Sequence, residues 1–336
     1  MYRNPSYVSA FVPTYILANM AKARIEQEQT FMIDTPQIFL HNDKPSDVGI
    51  GDRYIYDCKD TPCNQPTLVR FEGEPPTNDV IVDHVYDYIG ICREYLKVVL
   101  KWQPRNPPNY DAEYLVYVNQ GTKYNNSGSM SGDFFFGSGD GENFINFGLS
   151  KDAIGHEMGH EIASRVGISF LRSAEPATIA EHYGDVFSVA IKQHVTGQTE
   201  GEMDWLIGSD IMTPKLSGNA LRSMKAPGTA YDNDVMGKDP QFDHIRNFYD
   251  GSRDDFGKYI NTGILNKAFY LVAIGIGINM AVQIWYYALQ RLWEAVNLND
   301  FVDVISLSSQ ILAKKGEVSK EAPQIVRSAF KEVGLF

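Results

Sequence analysis

Residues 156–160 read His-Glu-Met-Gly-His, and this pentad constrains the chain more than any other stretch. Histidines at i and i+4 stand close enough to share one ion only where the backbone is helical, since a strand would hold them far apart on its face, so the pattern points to a helix carrying two imidazoles side by side. Both rings then reach one metal ion, and Glu157 beside the first can take a proton from a water on that metal. A catalytic zinc site needs a third protein ligand and an open position. The helical stretch PATIAEHYGDVFSVAIKQ supplies Glu181 within an otherwise apolar pattern. Asp185 follows one turn later on the same face, where it can hold a ligand histidine by its other ring nitrogen. Two acids buried four residues apart are costly unless something cationic pairs with them, and zinc with an imidazole N–H meets that need.

The pattern on either side of the pentad is uneven. A helix is expected after Pro13 (TYILANMAKARIEQEQ), followed by a polar link (HNDKPSDVGIGD). Strands follow at YIYD and TLVRF, and then a long amphipathic helix over 80–102 that Asp79 caps. YLVYV and the FFF of YNNSGSMSGDFFFGSGDG read as further strands. Beyond Asp140 strand signals stop, and helices are expected over 151–165, 177–194, 263–276, 280–298, 301–314 and 319–333. A strand-rich half followed by a helix-rich half indicates an α+β protein with two lobes.

With 336 residues, a core is easily built, and 12% aromatic content excludes a disordered chain. Acidic residues outnumber basic ones by 42 to 30, which argues against nucleic acid as a partner. Residues 269–289 are long and apolar enough to span a bilayer, but Gly275, Gly277, Asn279 and Gln283 break the run, so two buried helices and no membrane are expected. Three cysteines make no disulfide framework. Cys58 and Cys63 in CKDTPC are close enough to pair, yet three reduced thiols are the expectation in a chain without a recognisable signal peptide. Cytoplasmic location is the default on the same ground, with export by another route left open.

Taken together, these motifs resemble the thermolysin-like zinc metallopeptidases, and most of all the protealysin-like branch with its short propeptide. HEMGH is similar to the family's zinc helix, AEHYGD to the third-ligand stretch, and YNNSGSMSGDFFFGSGDG to the substrate edge. DWLIGSDI, ALRSM and FGKYINTGILNKAFYL follow in family order, and FVPTYIL resembles the propeptide motif. The resemblance implies a two-lobed fold, β-rich then α-helical, with the zinc helix between the lobes. It divides the chain into a propeptide-like segment (1–48), a β-rich lobe (49–162) and a helical lobe (163–336).

The resemblance also implies one zinc on His156, His160 and Glu181, with Glu157 activating the water and Asp185 orienting His156. Asn126 and Ser127 match positions that bind substrate backbone, and Arg222 matches the arginine on the carbonyl beyond the scissile bond. Phe147, Ile207 and Leu221 match the walls of the apolar pocket just after that bond, although plain core residues would read the same way. Tyr259 stands where the family has its catalytic histidine, while Asp254 matches the acid that orients it. Phe170 falls where a second tyrosine donor is expected. Lys192, Leu206 and Ser209 replace acids of the family's double-calcium site, leaving Asp152 and Asp204, so no calcium is expected there.

The expected activity is a zinc metallopeptidase made as a proenzyme, cutting on the amino side of apolar residues and blocked by its own N-terminal segment. It is expected to work as a monomer on a peptide or small amide. The alternative is a repurposed zinc enzyme acting on one dedicated small amide or carbonyl substrate in biosynthesis.

Overall fold

The computed structural model describes residues 9–25, 52–101, 113–130, 132–166 and 173–336. Helix α1 spans Thr14–Ile25, starting one residue after Pro13. Strands β1 (Arg53–Thr61) and β2 (Thr67–Phe71) form an antiparallel hairpin. At its turn Cys58 and Cys63 come within 4.6 Å between Cα atoms and are joined as a disulfide. This corrects the expectation of reduced thiols: left-handed backbone at Lys59, Asp60 and Cys63 folds the loop back on itself, which spacing alone does not reveal. Cys92 remains a free, buried thiol.

Helix α2 (Val80–Val98) begins at Asp79, whose carboxylate accepts the N–H groups of Ile81 and Val82. Strands β3 (Tyr114–Gln120), β4 (Ser127–Met130) and β5 (Asp133–Gly137) complete a five-stranded sheet in the order β2-β1-β3-β5-β4. The β1–β3 and β3–β5 pairs are parallel, and β4 returns antiparallel to β5. Sequence reading missed β4, because SGSM carries no apolar alternation. Its place at the sheet edge comes from pairing with the FFF strand, and that edge is where the site lies.

Two helices cross beside β4: α3 (Lys151–Arg165), capped by Ser150, and α4 (Ala174–Thr196). Short strands β6 (Leu206–Ile207) and β7 (Arg222–Ser223) pair, as do β8 (Asp232–Asn233) and β9 (Gly237–Lys238), so strands do not stop entirely after Asp140. Helices α5 (Arg253–Ile276), α6 (Ile278–Leu289), α7 (Leu298–Lys315) and α8 (Ala322–Glu332) complete the helical half. The apolar run at 269–289 is broken as expected, with Gly277 at φ 87° separating α5 from α6. Among the described residues no helix is long and apolar enough to cross a membrane. Helix α6 ends nine residues short of the expected Leu298, since Asn297 caps α7 instead, accepting the Asp300 N–H. One continuous core joins α2, the inner sheet face and all the long helices, with Phe11, Val12 and Ile16 of the N-terminal segment inside it.

Candidate active site

Helices α3 and α4 approach closely because neither carries side chains at the crossing. A Cβ on Gly159 would stand 2.8 Å from the Gly184 Cα, and one on Gly184 would stand 2.5 Å from the His156 ring. This contact brings Glu181 of α4 to the two histidines of α3. His156 Nε2 lies 3.1 Å from His160 Nε2 and 3.2 Å from Glu181 Oε2, while His160 Nε2 is 3.7 Å from that oxygen. A tetrahedral ion with bonds of about 2.1 Å needs ligand atoms about 3.4 Å apart, so the three donors fit zinc. Two imidazoles and a carboxylate are also the donor types zinc takes.

Asp185 anchors the group from behind. It accepts from His156 Nδ1 at 2.9 Å, so the lone pair of His156 is left on Nε2, facing the other two donors. Arg222 grips the same carboxylate through Nε and Nη2, each at 2.9 Å. Burial alone would raise the Asp185 carboxyl, but Arg222 and His156 hold it well below the usual range. Asn266 Nδ2 donates a further bond at 2.8 Å, and its Oδ1 faces His182 Nδ1 at 2.7 Å. Trp285 Nε1 donates to His182 Nε2, which leaves the proton of His182 on Nδ1, directed at Asn266. Burial pushes His182 down to about 4, so this ring stays neutral. His182, Asn266 and Trp285 escaped sequence reading, because each is an ordinary helical residue until the fold sets them in line.

Glu157 is fully buried and both of its oxygens hold serine hydroxyls. Ser127 Oγ donates to Oε1 at 3.0 Å, and Ser9 Oγ donates to Oε2. Ser9 belongs to the N-terminal segment, which runs antiparallel beside β4 through two backbone hydrogen bonds. The Ser9 N–H reaches Ser129 O and the Phe11 N–H reaches Ser127 O, both at 3.2 Å. Asn126 holds Val12 in both directions, accepting its N–H at 2.8 Å and donating to its carbonyl at 3.2 Å. Arg222 Nη1 donates to the Phe11 carbonyl at 3.0 Å, and the Phe11 ring meets His156 edge-on at 5.2 Å. Asn126, Ser127 and Arg222 are therefore brought together on one peptide. Phe147, Ile207 and Leu221 are fully buried in the same apolar cluster as Phe11.

Tyr259 donates its hydroxyl to the Ala10 carbonyl. Asp254 reaches Tyr259 by a different route from the one expected: its carboxylate accepts the backbone N–H groups of Tyr259 and Ile260, not the side-chain hydroxyl. The cause is a left-handed turn over Asp254, Asp255, Phe256 and Gly257 (φ 61°, 48°, 64° and 81°) that opens α5 and folds Asp254 under the helix end. Burial pushes the Asp254 carboxyl up to about 7 despite those bonds. Lys258, not anticipated from sequence, is buried with its ammonium 3.8 Å from Glu181 and 4.8 Å from the centre of the Tyr259 ring. Phe170 lies outside the described residues.

A second charged cluster stands at the N-terminus of α3. Lys192 Nζ lies 3.0 Å from Asp152 Oδ1 and 3.6 Å from Asp204, and donates to Leu206 O at 2.7 Å. Asp210, also missed in the sequence, accepts from Ser150 Oγ and the Asp152 N–H. Burial, and then the charge of Asp152, push Asp210 up to about 7. An ordinary aspartate titrates near 4, so the folded chain holds this proton through a range in which the unfolded chain has lost it. The stability it contributes is complete below about pH 4 and lost as pH rises through about 7. Asp210→Asn is therefore expected to gain in melting temperature relative to the parent between about pH 5 and about pH 8. An unchanged difference across that range in scanning calorimetry would contradict the assignment.

Residues 77–164 match the family model described as thermolysin metallopeptidase, catalytic domain, and residues 170–335 match that for its alpha-helical domain. The chain is 33% identical over 296 residues to an extracellular metalloprotease of Pectobacterium carotovorum subsp. carotovorum, covering 83% of each protein. It is 34% identical over 310 residues to protease PrtS of a Photorhabdus species, covering 85% of this chain and 82% of that one. The precursor of protealysin, a metalloproteinase from Serratia proteamaculans, superposes with a TM-score of 0.83 at 27% identity, over 98% of this chain and 100% of the other. The Pectobacterium relative is named extracellular, which overturns the cytoplasmic default and points towards secretion. That default rested only on the lack of a recognisable leader. The Cys58–Cys63 disulfide agrees with the correction, since such bonds persist in oxidising compartments.

Proposed function

The chain belongs to the thermolysin family of metallopeptidases, and on that premise we propose that it is a zinc-dependent proenzyme hydrolysing peptide bonds on the amino side of apolar residues. One observation carries this reading: a peptide of the chain itself, Ser9 to Val12, lies on the residues that the family resemblance assigns to substrate. The apolar Phe11 follows the carbonyl that Tyr259 touches, which supports an apolar preference just after the scissile bond. A blocked cleft supports the proenzyme reading, with residues 1–48 as propeptide followed by lobes at 49–162 and 163–336.

His156, His160 and Glu181 would hold the zinc, which when bound would supply a Lewis acid and lower the pKa of a water in the site. Glu157 accepts a proton from the attacking water and passes it to the departing nitrogen. Ser127 O accepts the N–H of the residue after the bond, Arg222 donates to the next carbonyl, and Tyr259 donates to the oxygen on which charge develops. Because Tyr259 contacts a backbone carbonyl, a peptide substrate is favoured over a dedicated small molecule. Tyr259→Phe is expected to lower kcat by about 10²-fold, the low end for loss of one such donor, with KM little changed.

The test is incubation of zinc-loaded and zinc-depleted protein, each after controlled removal of the N-terminal segment, with a mixed peptide library, read by mass spectrometry. Cleavage before apolar residues in the loaded sample alone is expected. A library left intact by loaded protein whose N-terminal segment has been removed would sink the reading. At the position of the family's double-calcium site no calcium is expected, the Lys192 ammonium supplying the positive charge at Asp152, and added calcium is expected to leave the melting temperature of zinc-loaded protein unchanged.

A further inference from the structure

The contacts of the N-terminal segment define a register more specific than blockage of the cleft. Along residues 9–12 the backbone alternates. Ser9 and Phe11 bond to β4, whereas the carbonyl of Ala10, between them, turns to Tyr259. The Ala10–Phe11 bond thus has an O–H donor on its carbonyl oxygen and the Ser127 carbonyl on its nitrogen side. Arg222 and Asn126 hold the next two residues.

Close by, Ser9 Oγ donates to Glu157 Oε2. This hydroxyl is pinned: the Ser129 N–H donates to it at 2.7 Å, and Ser129 Oγ stands 3.0 Å away. Gly128 permits the close approach, since a Cβ there would meet the Ser9 carbonyl at 2.6 Å. With Ser127 Oγ on Oε1, each Glu157 oxygen carries a serine hydroxyl.

We propose that the Ala10–Phe11 peptide bond is a self-processing site held in the register of a substrate, and that the Ser9 hydroxyl is the latch that prevents its cleavage by occupying Glu157. The proposal rests on the peptidase reading and on Glu157 as proton acceptor. With the hydroxyl gone, water reaches Glu157, adds oxygen to the Ala10 carbonyl carbon and breaks the C–N bond. The products are an Ala10 carboxylate and a Phe11 ammonium, the water supplying the oxygen and the protons.

The test uses the full chain, parent and Ser9→Ala. In zinc-depleted protein, hydrogen exchange at the Ser9 and Phe11 amides is followed first. Protection of both in the parent is expected, and free exchange at Phe11 would overturn the register. Zinc is then added together with an unrelated peptide containing an apolar residue, and the products are identified by mass spectrometry. Ser9→Ala is expected to yield a chain beginning at Phe11 roughly 10-fold faster than the parent or more, matching loss of one hydrogen bond to a charged group. If the added peptide is cut by protein whose N-terminal segment has been removed, while the full-length Ser9→Ala chain keeps its Ala10–Phe11 bond, the latch is wrong and the peptidase reading survives. If the protein freed of its N-terminal segment also leaves the added peptide intact, the peptidase reading fails and the latch falls with it.

Discussion

Glu157→Gln is expected to lower peptide hydrolysis by roughly 10²–10⁴-fold while zinc content stays stoichiometric. The substitution keeps the shape of the side chain and its ability to accept one hydrogen bond, but it removes the group that takes the proton of the attacking water. The residue is fully buried, with the Ser127 and Ser9 hydroxyls at its oxygens. His156, His160 and Glu181 are untouched, and elemental analysis should find the same metal content as in the parent. Because the parent cleft is covered, both proteins should be compared after controlled removal of the N-terminal segment. Activity within threefold of the parent would exclude Glu157 as the proton acceptor.

The second large effect is expected at Asp185. Its carboxylate meets Arg222 twice, His156 once and Asn266 once, at 2.8–2.9 Å, with all four side chains essentially buried. Asp185→Ala leaves the Arg222 guanidinium charged with no counter-ion in a dry interior. Breaking such a pair costs about 3–5 kcal/mol, or about 4–7 °C in melting temperature for a chain of this size. His156 also loses the acceptor that fixes its tautomer, and zinc affinity should fall about 10–100-fold. The two readouts separate the roles: calorimetry measures the stability of the ion pair, and competition with a chromogenic chelator measures zinc affinity. Stability loss with unchanged zinc affinity would show that Asp185 serves Arg222 alone.

These residues were legible in the sequence for different reasons. The pentad and the pair Glu181 and Asp185 are short-range signals, since helix geometry converts a spacing of four into a shared face whatever surrounds it. Asn126, Ser127, Arg222 and Tyr259 were reached only through the order of motifs along the chain, because none has a local pattern that marks it. Lys258, Asn266, His182 and Asp210 left no signal at all. Each acquires its meaning from a partner tens of residues away, as Asn266 does from Asp185. Asp254 shows the limit of transfer by motif: the acid is where the resemblance puts it, yet a left-handed turn directs it to the backbone of Tyr259.

The sequence by itself determined the zinc-ligand types, the helix that carries two of them, the amphipathic helices, and the change from strand-rich to helix-rich halves. All of these follow from covalent geometry and periodicity within about twenty residues. Only the tertiary structure decided that Ser9 of the N-terminal segment lies on Glu157, that SGSM becomes an edge strand, and that Cys58 pairs with Cys63. Such contacts arise when burial of apolar faces forces particular segments together, with close approach permitted at Gly128, Gly159 and Gly184. Hydrogen bonds and charges then settle between groups whose proximity no local pattern records.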